Sequence, residues 1–218
     1  MFRRFQDRVD AGEALAKALT AYKARPDVLL FALPRGGVPV AHEVAKALSL
    51  PLDIWLVRKL GMPGQEEFAI GAIAMGGVRY INPEYVERGG VSKRSLDQVI
   101  AKEEAELQRR NTLYRHGLPV PQVKGKTVIV VDDGLATGAT MRAAVESLRQ
   151  LRAEQIIVAV PVGSASACAA LSSIADDVVC LHMPEPFYGV GQWYMDFSQT
   201  SDEEVQEILS HYRKNALS

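Results

Sequence analysis

The chain has 218 residues, 48% of them hydrophobic, enough for one domain with a full core and a small appendage. Its formal net charge of −1 sets up no field that would draw nucleic acid or an anionic membrane, so neither is expected as a partner. No apolar run approaches the ~18 residues of a membrane helix, and the basic start Phe2-Arg3-Arg4 is not followed by the apolar stretch of a signal peptide. Cys168 and Cys180 lack zinc-site spacing and are expected to be reduced thiols in a cytoplasmic protein.

In chain order, Asp10 to Ala24 has helical spacing, with Leu15, Leu19 and Tyr22 on one face, Asp10 as N-cap and Pro26-Asp27 as the stop. Val28 to Leu33 reads as an apolar strand. It runs into Pro34-Arg35-Gly36-Gly37 and then a helix from Val38 or Pro39 to Leu48. Gly36 and Gly37 allow a close backbone approach that side chains would block, and the planar Arg35 cation suits phosphate oxygens. Leu52 to Val57 reads as a further strand, ending in Arg58-Lys59. Adjacent cations repel unless an anion or carboxylate compensates them. The Gly/Pro-rich residues after them read as a mobile loop. Phe68 to Met75 and Val78 to Ile81 flank Gly76-Gly77, the pattern of a β-hairpin. Ser92 to His116 reads as a long helix with an apolar stripe of Leu96, Val99, Ile100, Leu107 and Leu113; Glu103, Glu104, Glu106, Arg109 and Arg110 fall on its wet side. Residues from about 76 to 121 exceed what a minimal α/β unit needs, and could cover a sheet edge or build a homodimer contact.

Thr127 to Val131 is an apolar β-branched run, the signature of a buried parallel strand. It ends in Asp132-Asp133, followed by Gly134-Leu135, the small-residue turn Ala136-Thr137-Gly138-Ala139-Thr140 and a helix from Met141 to Leu151. At such a turn, unpaired N–H groups and the helix dipole favour an anion, above all a phosphate. Two carboxylates would repel a bare phosphate, so they call for sugar hydroxyls or Mg2+. Phosphate, diol and metal in one loop describe a sugar phosphate. Ile156 to Val160 and Asp177 to Leu181 complete five strands, separated by a helix capped near Ser164 that runs to Ser173. Strands alternating with helices predict a doubly wound α/β parallel sheet of order 2-1-3-4-5, with Arg35-Gly36-Gly37 and the Asp132 turn on neighbouring strand tips. Met183 to Phe197 is rich in aromatics, and Ser201 with Glu204 forms a capping box for a last helix, Asp202 to Tyr212. His42, His116, His182 and His211 show no metal-ligand spacing; His182 lies nearest the proposed site.

Val130-Val131-Asp132-Asp133 with Thr137-Gly138-x-Thr140 resembles the phosphoribosyl pyrophosphate (PRPP) motif of type I phosphoribosyltransferases. The resemblance implies that Gly134 and Ala136 to Thr140 hold the 5-phosphate and that Asp132 and Asp133 address the ribose hydroxyls and Mg2+. It also implies that Arg35, Gly36 and Gly37 form the pyrophosphate loop, which in the family often contains a cis peptide. Val57-Arg58-Lys59 resembles the start of the catalytic loop of orotate-type members, with no further basic residue at the family's spacing. Residues 1–182 then form the core, with the 76–121 insertion, and 183–218 a C-terminal hood. There Phe187, Tyr188 and Trp193 offer stacking surfaces for a base or simply pack the hood, and Asp196 offers a further metal carboxylate. The expected activity is Mg2+-dependent transfer of the 5-phosphoribosyl group of PRPP to a nitrogen of a small base, with Asp132, Asp133, Arg58 and Lys59 as catalytic residues. The alternatives are a PRPP-binding regulator on the same fold and, more remotely, a receiver-like aspartyl phosphoacceptor.

Overall fold

A computed structural model describes residues 4–216, with side chains to Tyr212; Phe2 and Arg3 of the basic start lie outside the described residues. In order the chain forms α1 (Arg8–Ala18), β1 (Val28–Ala32), α2 (Gly37–Leu48), β2 (Leu52–Ile54), β3 (Val57–Met62), β4 (Gln65–Ala74), β5 (Val78–Ile81), α3 (Pro83–Arg88) and α4 (Lys93–Arg115). There follow β6 (Thr127–Val131), α5 (Ala139–Gln150), β7 (Gln155–Val162), α6 (Ala165–Ser172), β8 (Asp177–His182) and α7 (Asp202–Ala216).

The larger sheet has the order β2-β1-β6-β7-β8, all parallel, which is the expected 2-1-3-4-5 winding of its own five strands. β6 is buried along its whole length, as a strand covered on both faces must be. β1 and β6 are in register from Val28 opposite Thr127 to Ala32 opposite Val131, so their tips lie side by side. Among the described residues no helix is long and apolar enough to cross a membrane. Cys168 on α6 and Cys180 on β8 are free.

The second sheet, β3-β4-β5, is antiparallel and departs from expectation. The strand read as Leu52 to Val57 breaks after Ile54. Trp55 turns into the core, fully buried, and its indole N–H donates to Ser147 Oγ at 2.9 Å. The chain leaves the first sheet there and starts the second at Val57. The segment read as a mobile loop is mostly β3 and β4, joined at Pro63-Gly64. Its glycines serve the hairpin: Gly64 has φ +82°, and at Gly61 the Glu66 backbone passes where a side chain would stand, beside a register shift. The expected Gly76-Gly77 hairpin joins β4 to β5 through a single 3-10 turn.

Other boundaries move for local reasons. Asp7, not Asp10, caps α1, its extended backbone letting the carboxylate accept the Asp10 N–H at 2.9 Å. α1 ends at Ala18, and Thr20–Tyr22 is a 3-10 turn. The short α3 was not anticipated, although Asn82-Pro83 carries its start signal. Asn82 Oδ1 accepts from the amides of Glu84 and Tyr85, and Pro83 occupies the first turn, where no N–H is needed.

The insertion covers a sheet edge. Arg115, at the end of α4 and 3% exposed, bonds Asp53 of edge strand β2 through Nε and a terminal nitrogen, at 2.9 Å each. Its remaining donors meet the carbonyls of Leu118 and Pro119 and the Asn111 side chain. Arg115→Met should therefore lower the unfolding free energy by about 2–3 kcal/mol, below the usual cost of a broken buried pair because Asp53 is partly exposed. Urea denaturation checks this, and a loss under about 0.5 kcal/mol, the range of ordinary surface substitutions, would show that the clamp is dispensable.

Candidate functional site

Two strand tips meet at one edge of the sheet. Beyond β1, the Leu33 N–H bonds Val131 O at 2.9 Å, tying the loop to β6 before Gly36-Gly37. A Cβ on Gly36 would overlap the Asp133 carboxylate. One on Gly37 would stand 2.7 Å from Val131 O and 2.9 Å from the Asp132 Cα. The glycine pair is needed because the acidic step runs directly against it. The Pro34-Arg35 peptide is cis. Arg35, Gly36, Gly37, Asp132 and Asp133 thus share one crevice.

The turn after the acidic step is held at its base and open at its rim. Gly134 packs under Val190, whose Cγ1 lies 2.5 Å from where a Cβ would be. The Leu135 N–H bonds Val162 O at 2.9 Å, and Ser164 Oγ donates to Ala136 O at 2.7 Å. Gly138, at φ +71°, turns the chain into α5. Ala139 N–H reaches Thr137 Oγ1 at 3.4 Å, whereas the N–H groups of Thr137, Gly138 and Thr140 find no acceptor among the described residues. Ala136 and Thr137 are exposed. An open helix N-terminus with unpaired amides is suited to an anion.

The two carboxylates differ in their surroundings. Asp132 accepts only the Asp133 N–H, at 2.9 Å, among the described residues. Burial, reinforced by the Asp133 charge, pushes its carboxyl well above the usual range. Burial also raises Asp133, but Arg8 opposes it, with Nε 2.9 Å and NH2 2.8 Å from Oδ2. Arg8 went unnoticed in the sequence. Its guanidinium also donates to Ser198 O at 2.7 Å and lies 4.1 Å from the centre of the Phe197 ring. The one available signal was weak: a cation in the first turn of a helix opposes the dipole and needs an anion elsewhere. The Tyr194 hydroxyl donates to Asp133 O at 2.6 Å, so the C-terminal segment closes on the step as well. The pair offers hard oxygen donors, suited to sugar hydroxyls or, once Asp132 is ionised by a cation beside it, to Mg2+. No cluster of three or more protein ligands accompanies them among the described residues, so a Mg2+ there would complete its shell with substrate oxygens and water.

The remaining candidates divide. Arg58 and Lys59 lie on β3 rather than on a loop. Arg58 pairs with Glu103 of α4 at 2.6 Å, and Glu103, expected on the wet side, is 9% exposed because it faces this cation. Arg35 NH1 lies 3.5 Å from Asp202 Oδ1 at the start of α7. Phe187 and Trp193 stack on each other, with ring centres 6.4 Å apart, and pack with Phe5, Val162 and Tyr194. Tyr188 stands 79% exposed. Asp196 is exposed; its Oδ1 accepts the Ser198 N–H at 2.9 Å, and Arg8 is near enough to act on its charge.

A sequence model of the phosphoribosyl transferase domain matches residues 4–197. Over 211 residues, 97% of this chain, the sequence is 44% identical to a Mycobacterium tuberculosis protein provisionally named as a phosphoribosyl transferase. The chain spans about half, 47%, of that relative's length. The crystal structure of TT1426 from Thermus thermophilus is similar, with a TM-score of 0.83 at 42% identity, covering 96% of this chain and 99% of that one. The bifunctional protein PyrR of Corynebacterium diphtheriae is 27% identical over 140 residues, 64% of this chain and 55% of its own length.

Two substitutions test the geometry. Gly36→Ala should drive the Asp133 carboxylate off Arg8 and lower stability by about 1–3 kcal/mol in urea, the usual cost of overpacking. Arg8→Gln should cost about 2 kcal/mol at neutral pH, since it leaves a mostly buried carboxylate without its cation. Wild-type stability in either variant would mean that the crevice is looser than described.

Proposed function

The chain belongs to the phosphoribosyl transferase domain family, and from that premise we propose that it transfers the 5-phosphoribosyl group of PRPP to a nitrogen of a nucleobase or related small acceptor, with Mg2+ and release of pyrophosphate. The observation that supports this reading is the packing of Gly36-Gly37 against Asp132-Asp133, a glycine loop against a carboxylate pair, with the open N-terminus of α5 following in the same turn.

The 5-phosphate sits on the amides of Thr137, Gly138 and Thr140 at the start of α5. Asp132 and Asp133 accept the ribose hydroxyls, and Arg8 holds Asp133 in place. The pyrophosphate lies toward Arg35, the Gly36-Gly37 backbone and the β3 cations. The acceptor nitrogen forms a bond to C1 as the C1–O bond to pyrophosphate breaks, and the nitrogen's proton leaves to solvent or to the released pyrophosphate. Positive charge grows on the ribose and negative charge on the leaving group, so positioning and fixed charges supply the catalysis. Mg2+ held by Asp132, Asp133 and substrate oxygens would add positive charge beside the departing pyrophosphate.

One observation favours a second reading, a PRPP-binding regulator without turnover: Arg58 and Arg35 already have carboxylate partners in Glu103 and Asp202. Labelled PRPP incubated with purines, pyrimidines and their precursors separates the two, since an enzyme forms a labelled nucleotide and a regulator only retains PRPP. Both readings require the acidic step. The double variant Asp132→Asn with Asp133→Asn should lose PRPP binding measured by calorimetry with Mg2+ present; wild-type affinity in that variant would refute both.

A further inference from the structure

Between the β3–β4 hairpin and α4 lies a cavity of about 390 Å3. Its lining includes Pro34 and Thr140, one from each of the two loops of the crevice, so it adjoins that crevice. Its walls carry Arg58 and Lys59 from β3 and Lys102 and Arg110 from α4. It contains no aromatic side chain that could face a base. Its chemistry is that of an anion site.

The charges are unequally engaged. Arg58 is matched by Glu103 at 2.6 Å, and Lys102 stands 4.0 Å from Glu66. Glu67 adds a further carboxylate to the lining. On α4, however, Arg109 and Arg110 share a single carboxylate, Glu106, with Nε–O distances of 2.7 and 2.8 Å. Both guanidinium groups together hold the Glu106 carboxyl down to about 2. One carboxylate cannot neutralise two guanidiniums, so α4 carries a surplus positive charge where Arg110, 28% exposed, enters the cavity lining. Arg110 and Arg35 both lie near enough to the Tyr114 hydroxyl to act on its charge.

We propose that α4, a helix outside the doubly wound core, completes the pyrophosphate site through Arg110, which binds the terminal phosphate of PRPP and of released pyrophosphate inside this cavity. The inference rests on the phosphoribosyltransferase reading and adds to it a residue from the insertion. Arg110 is then a substrate-binding residue rather than part of a wet helix face. It reaches the phosphate by turning from Glu106, which keeps Arg109 as partner. A planar guanidinium suits this exchange, because it can bond a phosphate and a carboxylate through different N–H groups.

The test compares three ligands on the full chain by calorimetry with Mg2+: pyrophosphate, PRPP and ribose 5-phosphate. Arg110→Gln should weaken pyrophosphate and PRPP about tenfold, the scale of one charge-assisted bond, and leave ribose 5-phosphate within about twofold. Arg110→Lys should recover part of the loss, because it restores charge without the planar fork. Thermal unfolding of each variant reports whether the fold is kept. Unchanged pyrophosphate affinity in Arg110→Gln, or equal weakening of all three ligands, overturns the proposal. If the wild-type chain binds pyrophosphate in an Arg110-dependent way but neither PRPP nor ribose 5-phosphate, the anion subsite stands and the phosphoribosyl reading fails.

Discussion

The architecture of the site depends on one steric constraint: the absence of Cβ atoms at Gly36 and Gly37. The acidic step of β6 occupies the space those atoms would need. With the strand tips in register, a glycine loop from β1 and a carboxylate pair from β6 come into van der Waals contact. A side chain there would push apart the two loops proposed to hold the ends of one small ligand. The close packing of protein interiors makes such a displacement costly.

Around that contact, three of the site charges have an internal counter-charge drawn from another element. Arg8 of α1 meets Asp133, Glu103 of α4 meets Arg58, and Asp202 of α7 meets Arg35. Those three charges are compensated within the protein, whereas Asp132 and Lys59 have no ionic partner among the described residues. Taking up a charged ligand becomes an exchange of ionic partners rather than a simple gain of attraction. The Arg35 pair is long and partly exposed, and pairs of that kind contribute about 0–1 kcal/mol, so an anionic ligand would displace it at little cost. The Arg8 pair is short and mostly buried, and behaves as part of the scaffold.

The second sheet changes how the cations proposed for catalysis are held. A mobile loop would have to order itself around each substrate at an entropic cost. Here Arg58 and Lys59 stand on β3, paired to β4 and resting on α4 and α5. Part of that ordering is done when the chain folds. The same arrangement lets the insertion form a wall of the cavity beside β3 while its far end clamps edge strand β2 through Arg115.

What the sequence determined by itself was whatever depends on near neighbours. Apolar runs such as Thr127 to Val131, the capping pattern at Ser164 and the small-residue turn from Ala136 to Thr140 each report their local backbone, and chain connectivity then restricts the sheet to one sensible winding. The acidic step and the glycine loop were legible for the same reason, since both are contiguous motifs on strand tips. Tertiary structure alone decided the partners. Arg8 and Asp133 are 125 positions apart, and nothing in the spacing around either one names the other. Glu103 sits among charged residues on a helix and looks solvated until β3 is laid across it. The hairpin that replaced a mobile loop was hidden because its glycines serve a turn and a register shift, features that a run of Gly and Pro shares with a disordered segment. Backbone preference is encoded within a few residues, whereas charge compensation is settled by whatever the fold brings within about 4 Å, where Coulomb attraction is strongest.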